Sequence, residues 1–254
     1  MKNLIKKILM KFNIGVSKYD LLEKWKNYSR DIEEILSLSN LYLIRLIELR
    51  DKSKSQLKQE LFVLTETGFK KNGFFVEFGA TNGVDFSNTY LLEKEFEWKG
   101  ILAEPAKSWH EELENNRQCN IEKYCVWSDS GSILDFNEVN EAELSTIAKY
   151  NNSDWAFNSR KKGNTYNVKT ISLIDLLIKY NAPKIIDYLS IDTEGSEYEI
   201  LRKFDFDAYQ FRVITCEHNH TKIREKIYKL LTSKGYQRKY IGLSEFDDWY
   251  IKSV

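Results

Sequence analysis

The stretch Phe74-Phe75-Val76-Glu77-Phe78-Gly79-Ala80-Thr81-Asn82-Gly83 decides the fold. An apolar run carries an acid near its end, and two glycines follow with three residues between them. A buried parallel strand delivers a tight turn in this way, against a nucleoside-type ligand. Glycine takes backbone angles that side chains forbid and lets a ligand approach the main chain, which is what Gly79 and Gly83 offer. A phosphate-binding loop presents bare N–H groups to an anion. Glu77 at the strand end would repel an anion and suits a cationic or amino-bearing ligand.

S-adenosylmethionine, with its sulfonium and ammonium groups, is a ligand of that kind. The loop lacks the dinucleotide pattern G-x-G-x-x-G, because Thr81 stands at its second glycine, and it lacks the lysine of a P-loop. Both departures argue against NAD and ATP.

Working outward, strands and helices alternate from Gly73 onward. Strands are expected at 74–78, 100–104, 121–127, 186–191 and 211–216, with helices at 88–96, 106–115, 172–180 and 221–234. Gly235 ends the last helix in the usual position, and 236–241 with 249–252 form a closing hairpin. Such alternation predicts an α/β fold, a mostly parallel sheet with helices on both faces. An insertion from Ser128 to about Asn167 breaks the rhythm and is expected as a strand plus a loop over the active site.

Residues 1–70 differ. They contain no proline, and apolar residues recur at helical spacing in Ile32, Ile35, Leu36, Leu43, Leu46 and Ile47. The expected organisation is a helical extension over 1–70 and a catalytic domain over 71–254. Lys6, Lys7 and Lys11 beside Leu4, Ile8 and Leu9 raise the question of membrane contact. Docking on the same protein, or on a second copy as a homo-oligomer, is the favoured reading.

Acidic and basic residues number 38 each, so no net charge draws the chain toward nucleic acid or acidic lipid. The N-terminus lacks a signal-peptide core and no 18-residue apolar run occurs, which predicts a cytoplasmic protein without stable membrane insertion. Cys119, Cys125 and Cys216 have no zinc spacing and read as free thiols of a reducing compartment.

Ligands of an open parallel sheet bind where the strands end at their carboxyl edge. Here the strand ends carry Glu77 and Gly79; Glu104; Trp127, Ser128 and Asp129; Asp192 and Glu194; and Glu217, His218 and Asn219. Glu104 follows Gly79 by 25 residues, the place for an acid that accepts both hydroxyls of an adenosine ribose. Methyl transfer to a hydroxyl needs a positioned base, or a metal that lowers the hydroxyl pKa. His218 and Asp192 are the candidate bases. Asp192, Glu217 and His218 are candidate ligands for a divalent ion such as Mg²⁺. Glu197 reads as a helix cap, and His110 as solvated surface.

The chain resembles the FkbM family of S-adenosylmethionine-dependent methyltransferases from about Gly73 to Ser253. The resemblance is carried by Val76-Glu77-Phe78-Gly79-Ala80-Thr81-Asn82-Gly83, Leu102-Ala103-Glu104-Pro105, Ser128-Asp129 before Gly131, and Leu189-Ser190-Ile191-Asp192-Thr193-Glu194-Gly195-Ser196-Glu197. The last motif is the specific one. The family often has Val-Gly-Ala-x-x-G in its first loop; Glu-Phe-Gly-Ala is a variant that keeps the acid. The resemblance implies a Rossmann-like fold of seven strands with the last antiparallel. It implies methyl transfer to oxygen, often a hydroxyl of a sugar, glycolipid or polyketide.

Carried onto this chain, cofactor contacts fall on Glu77, Gly79, Ala80, Thr81, Gly83, Asn88, Glu104, Pro105, Ser128, Asp129 and Asp192. Catalysis falls on Asp192, His218 and Glu194, and a Mg²⁺ or Mn²⁺ site on Asp192, Glu217 and His218. Trp155, Phe157, Arg160, Lys161, Lys162 and Tyr166 in the insertion suit a sugar ring and phosphate. The expected acceptor is therefore a carbohydrate or nucleotide sugar, such as a capsule precursor. A small hydroxylated metabolite, a lipid, or a non-catalytic scaffold role are the competing readings.

Overall fold

The computed structural model describes residues 42–253. The chain divides into two compact units, Met1–Arg50 and Asp51–Val254. The described part of the first holds one helix, α1 (Leu43–Arg50). The basic stretch at Lys6–Lys11, the Ile32–Leu36 periodicity and the proposed oligomer contact lie outside the described residues.

The boundary expected at residue 70 moves to Arg50. Residues 51–73 are built into the sheet-containing unit through α2 (Gln59–Glu66). Gln59 donates to Asp247 at 2.9 Å, and Glu60 accepts from the Leu91 N–H at 2.9 Å. The Phe62 ring stacks on Trp249 with centroids 4.8 Å apart. These contacts join partners far apart in sequence, so no local periodicity marks them.

In chain order the strands are β1 (Phe74–Phe78), β2 (Lys99–Ala103), β3 (Asn120–Glu122), β4 (Cys125–Trp127), β5 (Ile133–Glu138), β6 (Thr146–Ile147), β7 (Asn164–Ser172), β8 (Ile185–Ile191), β9 (Gln210–Glu217), β10 (Tyr236–Lys239) and β11 (Asp247–Lys252). The remaining helices are α3 (Tyr90–Phe96), α4 (His110–Asn116), α5 (Phe157–Arg160), α6 (Leu173–Lys179), α7 (Glu197–Leu201) and α8 (Ile223–Ser233).

The main sheet has seven strands in the order β3-β2-β1-β8-β9-β11-β10. β3, β2, β1, β8 and β9 pair in parallel, and β11 runs antiparallel to both its neighbours. This is the Rossmann-like class I methyltransferase fold. The central strands β1 and β8 are buried along nearly their whole length, as strands covered on both faces must be. Val76, Leu189 and Ile214 belong to one continuous core with Leu176 and Leu231 from the helices.

Two expectations are corrected. The strand expected over 121–127 breaks at Lys123–Tyr124. β3 stays in the main sheet, while β4 leaves it and pairs in parallel with β7. The insertion is therefore no strand plus loop. It is part of a second sheet, ordered β4-β7-β5-β6, in which β5 and β7 pair over six residues from Ile133↔Lys169 to Glu138↔Asn164. No helix among the described residues is long and apolar enough to cross a membrane.

Candidate active site

The parallel strands β1, β2, β8 and β9 end together, at Phe78, Ala103, Ile191 and Glu217. A cavity opens there. Its walls include Gly79, Thr81, Asn88, Glu104, Pro105, Asp192, Glu194 and Glu217, joined by Ala142–Ser145, Ile147 and Trp155 from the insertion.

Gly79 is the hinge of the floor. Its φ is +76°, its N–H donates to the Ala103 carbonyl at 3.1 Å, and an added Cβ would stand 2.0 Å from the Asp192 carbonyl oxygen. Only glycine permits both the angle and the approach of β1 to β8. Ala80 and Gly83 shape the turn without lining the cavity. Gly83 packs on the side chains of Arg117 and Leu113, which a Cβ would meet at 2.6 and 2.7 Å.

Glu77 departs from its expected place. Its carboxylate is buried away from the cavity and accepts from Ser87 Oγ (3.0 Å), the Asn88 N–H (2.7 Å) and Thr89 Oγ1. It organises the loop before α3 instead of facing a ligand. Because Asn88 and Thr89 are held there, α3 starts at Tyr90, two residues later than its sequence pattern suggests.

Glu104 does line the cavity. It is buried, and its two oxygens accept from the Thr81 N–H (2.9 Å) and the Ala106 N–H (2.8 Å). Burial pushes its pKa up to about 7, while those two N–H groups pull the other way. His110, expected as solvated surface, is partly buried with Nε2 2.9 Å from the Glu104 carbonyl oxygen. Ser128 and Asp129 lie outside the cavity. They bond to each other at 3.1 Å, and Asp129 also accepts from Ser132. The departure of β4 from the main sheet carries them away, and Cys125 and Val126 line the wall in their stead.

The chemical centre is a group of three carboxylates. One oxygen each from Asp192, Glu194 and Glu217 lies within 4.8 Å of the others. Burial raises all three pKa values, and like charge adds to it: Asp247 acts on Asp192, and Asp192 acts on both glutamates. A hydrogen bond from Glu217 opposes the rise at Asp192. Glu194 sits at φ +57°, a strained angle for a side chain of its size. It is held by Arg160 Nη2 at 2.8 Å, by Asn219 Nδ2 at 3.2 Å, and through its carbonyl by Thr146 Oγ1 at 2.9 Å. Glu197 accepts from Thr193 N–H (3.1 Å) and Gly195 N–H (2.9 Å), so it ties the turn before α7.

His218 does not join this group. Its Nδ1 accepts from the His220 N–H at 3.0 Å, which leaves the proton on Nε2, donated to the Asp247 carbonyl at 3.0 Å. No lone pair remains for an acceptor hydroxyl or a metal ion. Burial lowers its pKa to about 4. It faces a neighbouring cleft, lined also by Tyr150 and Lys226, which shares only the Glu217 and Asn219 wall with the cavity. The candidate metal group is thus Asp192, Glu194 and Glu217, not Asp192, Glu217 and His218.

Arg160 is also displaced from its expected role. Its guanidinium is buried, bonding to both Asp154 oxygens at 2.9 Å, to Glu194, and to the Leu144 carbonyl at 2.9 Å. It braces the site and meets no phosphate. Lys161 and Lys162 are exposed, and Tyr166 bonds to Glu138. Of the insertion residues expected to meet a sugar or phosphate, Trp155 is the one on the cavity wall. Gln56, Phe86 and Phe246 also line it and carry no motif.

The Methyltransferase FkbM domain matches residues 77–238. The chain belongs to the FkbM methyltransferase family. The match spans the glycine turn, Glu104 and all three clustered acids. Among solved structures, the methyltransferase FkbM from Methylobacillus flagellatus is 11% identical, with a TM-score of 0.44, covering 98% of this chain and 70% of that one. The precorrin-6y C5,15-methyltransferase of Geobacter metallireducens is 11% identical, with a TM-score of 0.40, covering 79% and 93%. A SAM dependent methyltransferase from Aquifex aeolicus is 11% identical, with a TM-score of 0.36, covering 87% and 97%. Among curated proteins no relative matches the sequence.

The residues present fit the cofactor that an FkbM methyltransferase implies. Five acids line the cavity, and among the described residues no lysine or arginine does, so the lining suits a sulfonium and an ammonium better than a phosphate. Asn88 Oδ1 is buried without a partner, an acceptor that a ligand donor would satisfy. Glu104 would take the ribose hydroxyls, and the Gly79–Thr81 turn would lie along the ligand.

Proposed function

We propose that this FkbM methyltransferase transfers a methyl group from S-adenosylmethionine to a sugar hydroxyl, in a surface-polysaccharide precursor or its nucleotide-activated unit. The observation that carries this reading is the convergence of Asp192, Glu194 and Glu217 on the cavity that Gly79 and Glu104 also line. Bound S-adenosylmethionine supplies a methyl group on a positively charged sulfur. The protein must orient the acceptor oxygen and remove its proton.

A sugar hydroxyl is a poor nucleophile at neutral pH, and a base with a matched pKa helps most. An ordinary carboxylate is too weak a base. The Asp192–Glu217 pair is strengthened as a base by burial and by the neighbouring carboxylates, Asp247 on Asp192 and Asp192 on Glu217. It takes the hydroxyl proton as the oxygen–carbon bond forms, and the carbon–sulfur bond breaks to leave a neutral thioether. Arg160 holds the Glu194 carboxylate in place beside the pair. Because no lysine or arginine among the described residues lines the cavity, the reading has a nucleotide sugar keep its pyrophosphate outside it. Mg²⁺ or Mn²⁺ on the three carboxylates is the second reading, favoured by their mutual spacing and opposed by the ion pair that already occupies Glu194.

The test offers the purified protein methyl-labelled S-adenosylmethionine and a set of glycosides. Label in a sugar methyl ether is the expected result. Transfer to none of them, with S-adenosylhomocysteine still bound, would remove the sugar reading.

A further inference from the structure

Phe86 lies at φ +62° with its side chain 50% exposed. Bulky residues seldom adopt this left-handed backbone, and the strain persists where the surroundings over-determine it, as at ligand sites. The surroundings do so here from both directions. Before Phe86, Asn82 Oδ1 accepts from the N–H groups of Val84 (3.0 Å) and Asp85 (2.9 Å), and Thr81 Oγ1 donates to the Asp85 carbonyl (3.1 Å). After it, Ser87 and Asn88 are tied to the buried Glu77. The loop holds a large ring out on the cavity wall, where core packing cannot account for it.

Trp155 reaches the same cavity from a different segment and is 65% exposed. Two exposed aromatic side chains thus share one cavity with Asp192, Glu194, Glu217 and Asn219. Aromatic faces carry partial negative charge and attract the C–H bonds of a ring lying on them. Carboxylates accept hydrogen bonds from hydroxyls, and an amide does both. A pyranose combines these needs, with C–H groups on its face and hydroxyls around its rim. A lipid chain would leave the acids unmatched, and a phosphate would meet only acids.

We propose that Phe86 and Trp155 form the acceptor subsite, gripping a pyranose ring by its face so that one hydroxyl reaches the Asp192–Glu217 pair. This rests on the sugar-hydroxyl reading above. It names Phe86 and Trp155 as residues that set acceptor specificity.

Saturation-transfer NMR on the full chain with S-adenosylhomocysteine tests it, using methyl pyranosides of glucose, galactose, mannose, rhamnose and N-acetylglucosamine at millimolar concentration. At least one should receive transfer at its ring C–H protons. Trp155→Ala and Phe86→Asn should each reduce that signal at least fivefold, while Phe86→Tyr restores it and S-adenosylhomocysteine affinity stays within threefold by calorimetry. Asparagine tolerates the left-handed backbone, and Trp155 is exposed, so both variants keep the fold. Undiminished transfer in both variants would overturn the subsite and leave the sugar reading intact. Transfer to no pyranoside in the wild-type protein, with S-adenosylhomocysteine bound, would overturn both.

Discussion

Arg160 Nη2 stands 2.8 Å from Glu194 Oε2, both side chains withdrawn from solvent, so the insertion is bolted through α5 to an acid of the family motif. The same guanidinium holds Asp154 and the Leu144 carbonyl. The segment over the cavity is therefore fixed by an ion pair and not merely laid across it.

Removing Arg160 leaves Glu194 and Asp154 without their cation in a buried place. Arg160→Met should destabilise the protein by roughly 3–5 kcal/mol, the usual result of breaking a buried pair from one side. Arg160→Lys should recover only a part, since an ammonium cannot span three partners. Urea unfolding measures both. A midpoint unchanged by Arg160→Met would show that the latch carries no weight.

Glu104→Ala should weaken S-adenosylhomocysteine binding by about 1.5–3 kcal/mol, the range for hydrogen bonds to a charged group. The raised pKa adds a pH signature. Below about 7 the carboxyl is protonated and accepts less strongly, so wild-type affinity should drop between pH 8 and pH 6. Glu104→Gln should bind weakly at both. Calorimetry at the two pH values decides the matter, and equal slopes for the two proteins would exclude Glu104 as the acceptor.

Asp192→Asn and Glu217→Gln should each lower turnover by roughly 10²–10⁴ if the pair is the general base. Since burial and like charge raise both pKa values, the wild-type rate should climb with pH above the ordinary carboxylate range. That limb should vanish in the variants. A wild-type rate abolished by chelator and restored by Mg²⁺ would transfer the work to a metal ion.

His218 should matter for acid stability and little for chemistry. Its folded pKa is depressed by burial to about 4, below the ordinary histidine value. Its contribution to stability is therefore complete above about pH 6.5 and is lost as the pH falls toward 4. His218→Asn, which keeps an acceptor for the His220 N–H, should be less stable at pH 7 and flatter between pH 6.5 and 4. A hundredfold loss of turnover in that variant, with its melting curve unchanged, would restore the histidine to the reaction.

The strand–helix rhythm made the main sheet legible, because β1, β8 and β9 are buried on both faces and so are written as continuous apolar runs. Asp192, Glu194 and Glu217 were legible because they close those runs. The rest depended on contacts that leave no local trace. Glu77 looks like a ligand residue until Ser87, Asn88 and Thr89 fold back onto it. His218 looks like a base until its two nitrogens meet main-chain groups at Asp247 and His220. Phe86 lies in no apolar pattern, and its position follows from the Asn82 turn. The run from Ile121 to Trp127 gave no sign of the break at Lys123–Tyr124, which arises because β4 finds β7, a partner some 45 residues later.

That partnership has an architectural consequence. Cys125 lies beside Thr170 and Trp127 beside Ser172, so the excursion begins and ends side by side. Everything between, with β5, β6 and α5, is an excursion whose neck is already tied. Its outer parts, away from the Arg160 and Thr146 that hold Glu194, can change without displacing β3 or α6. New acceptors can be tried by rewriting one closed segment, while the methyl donor's half of the protein is inherited whole.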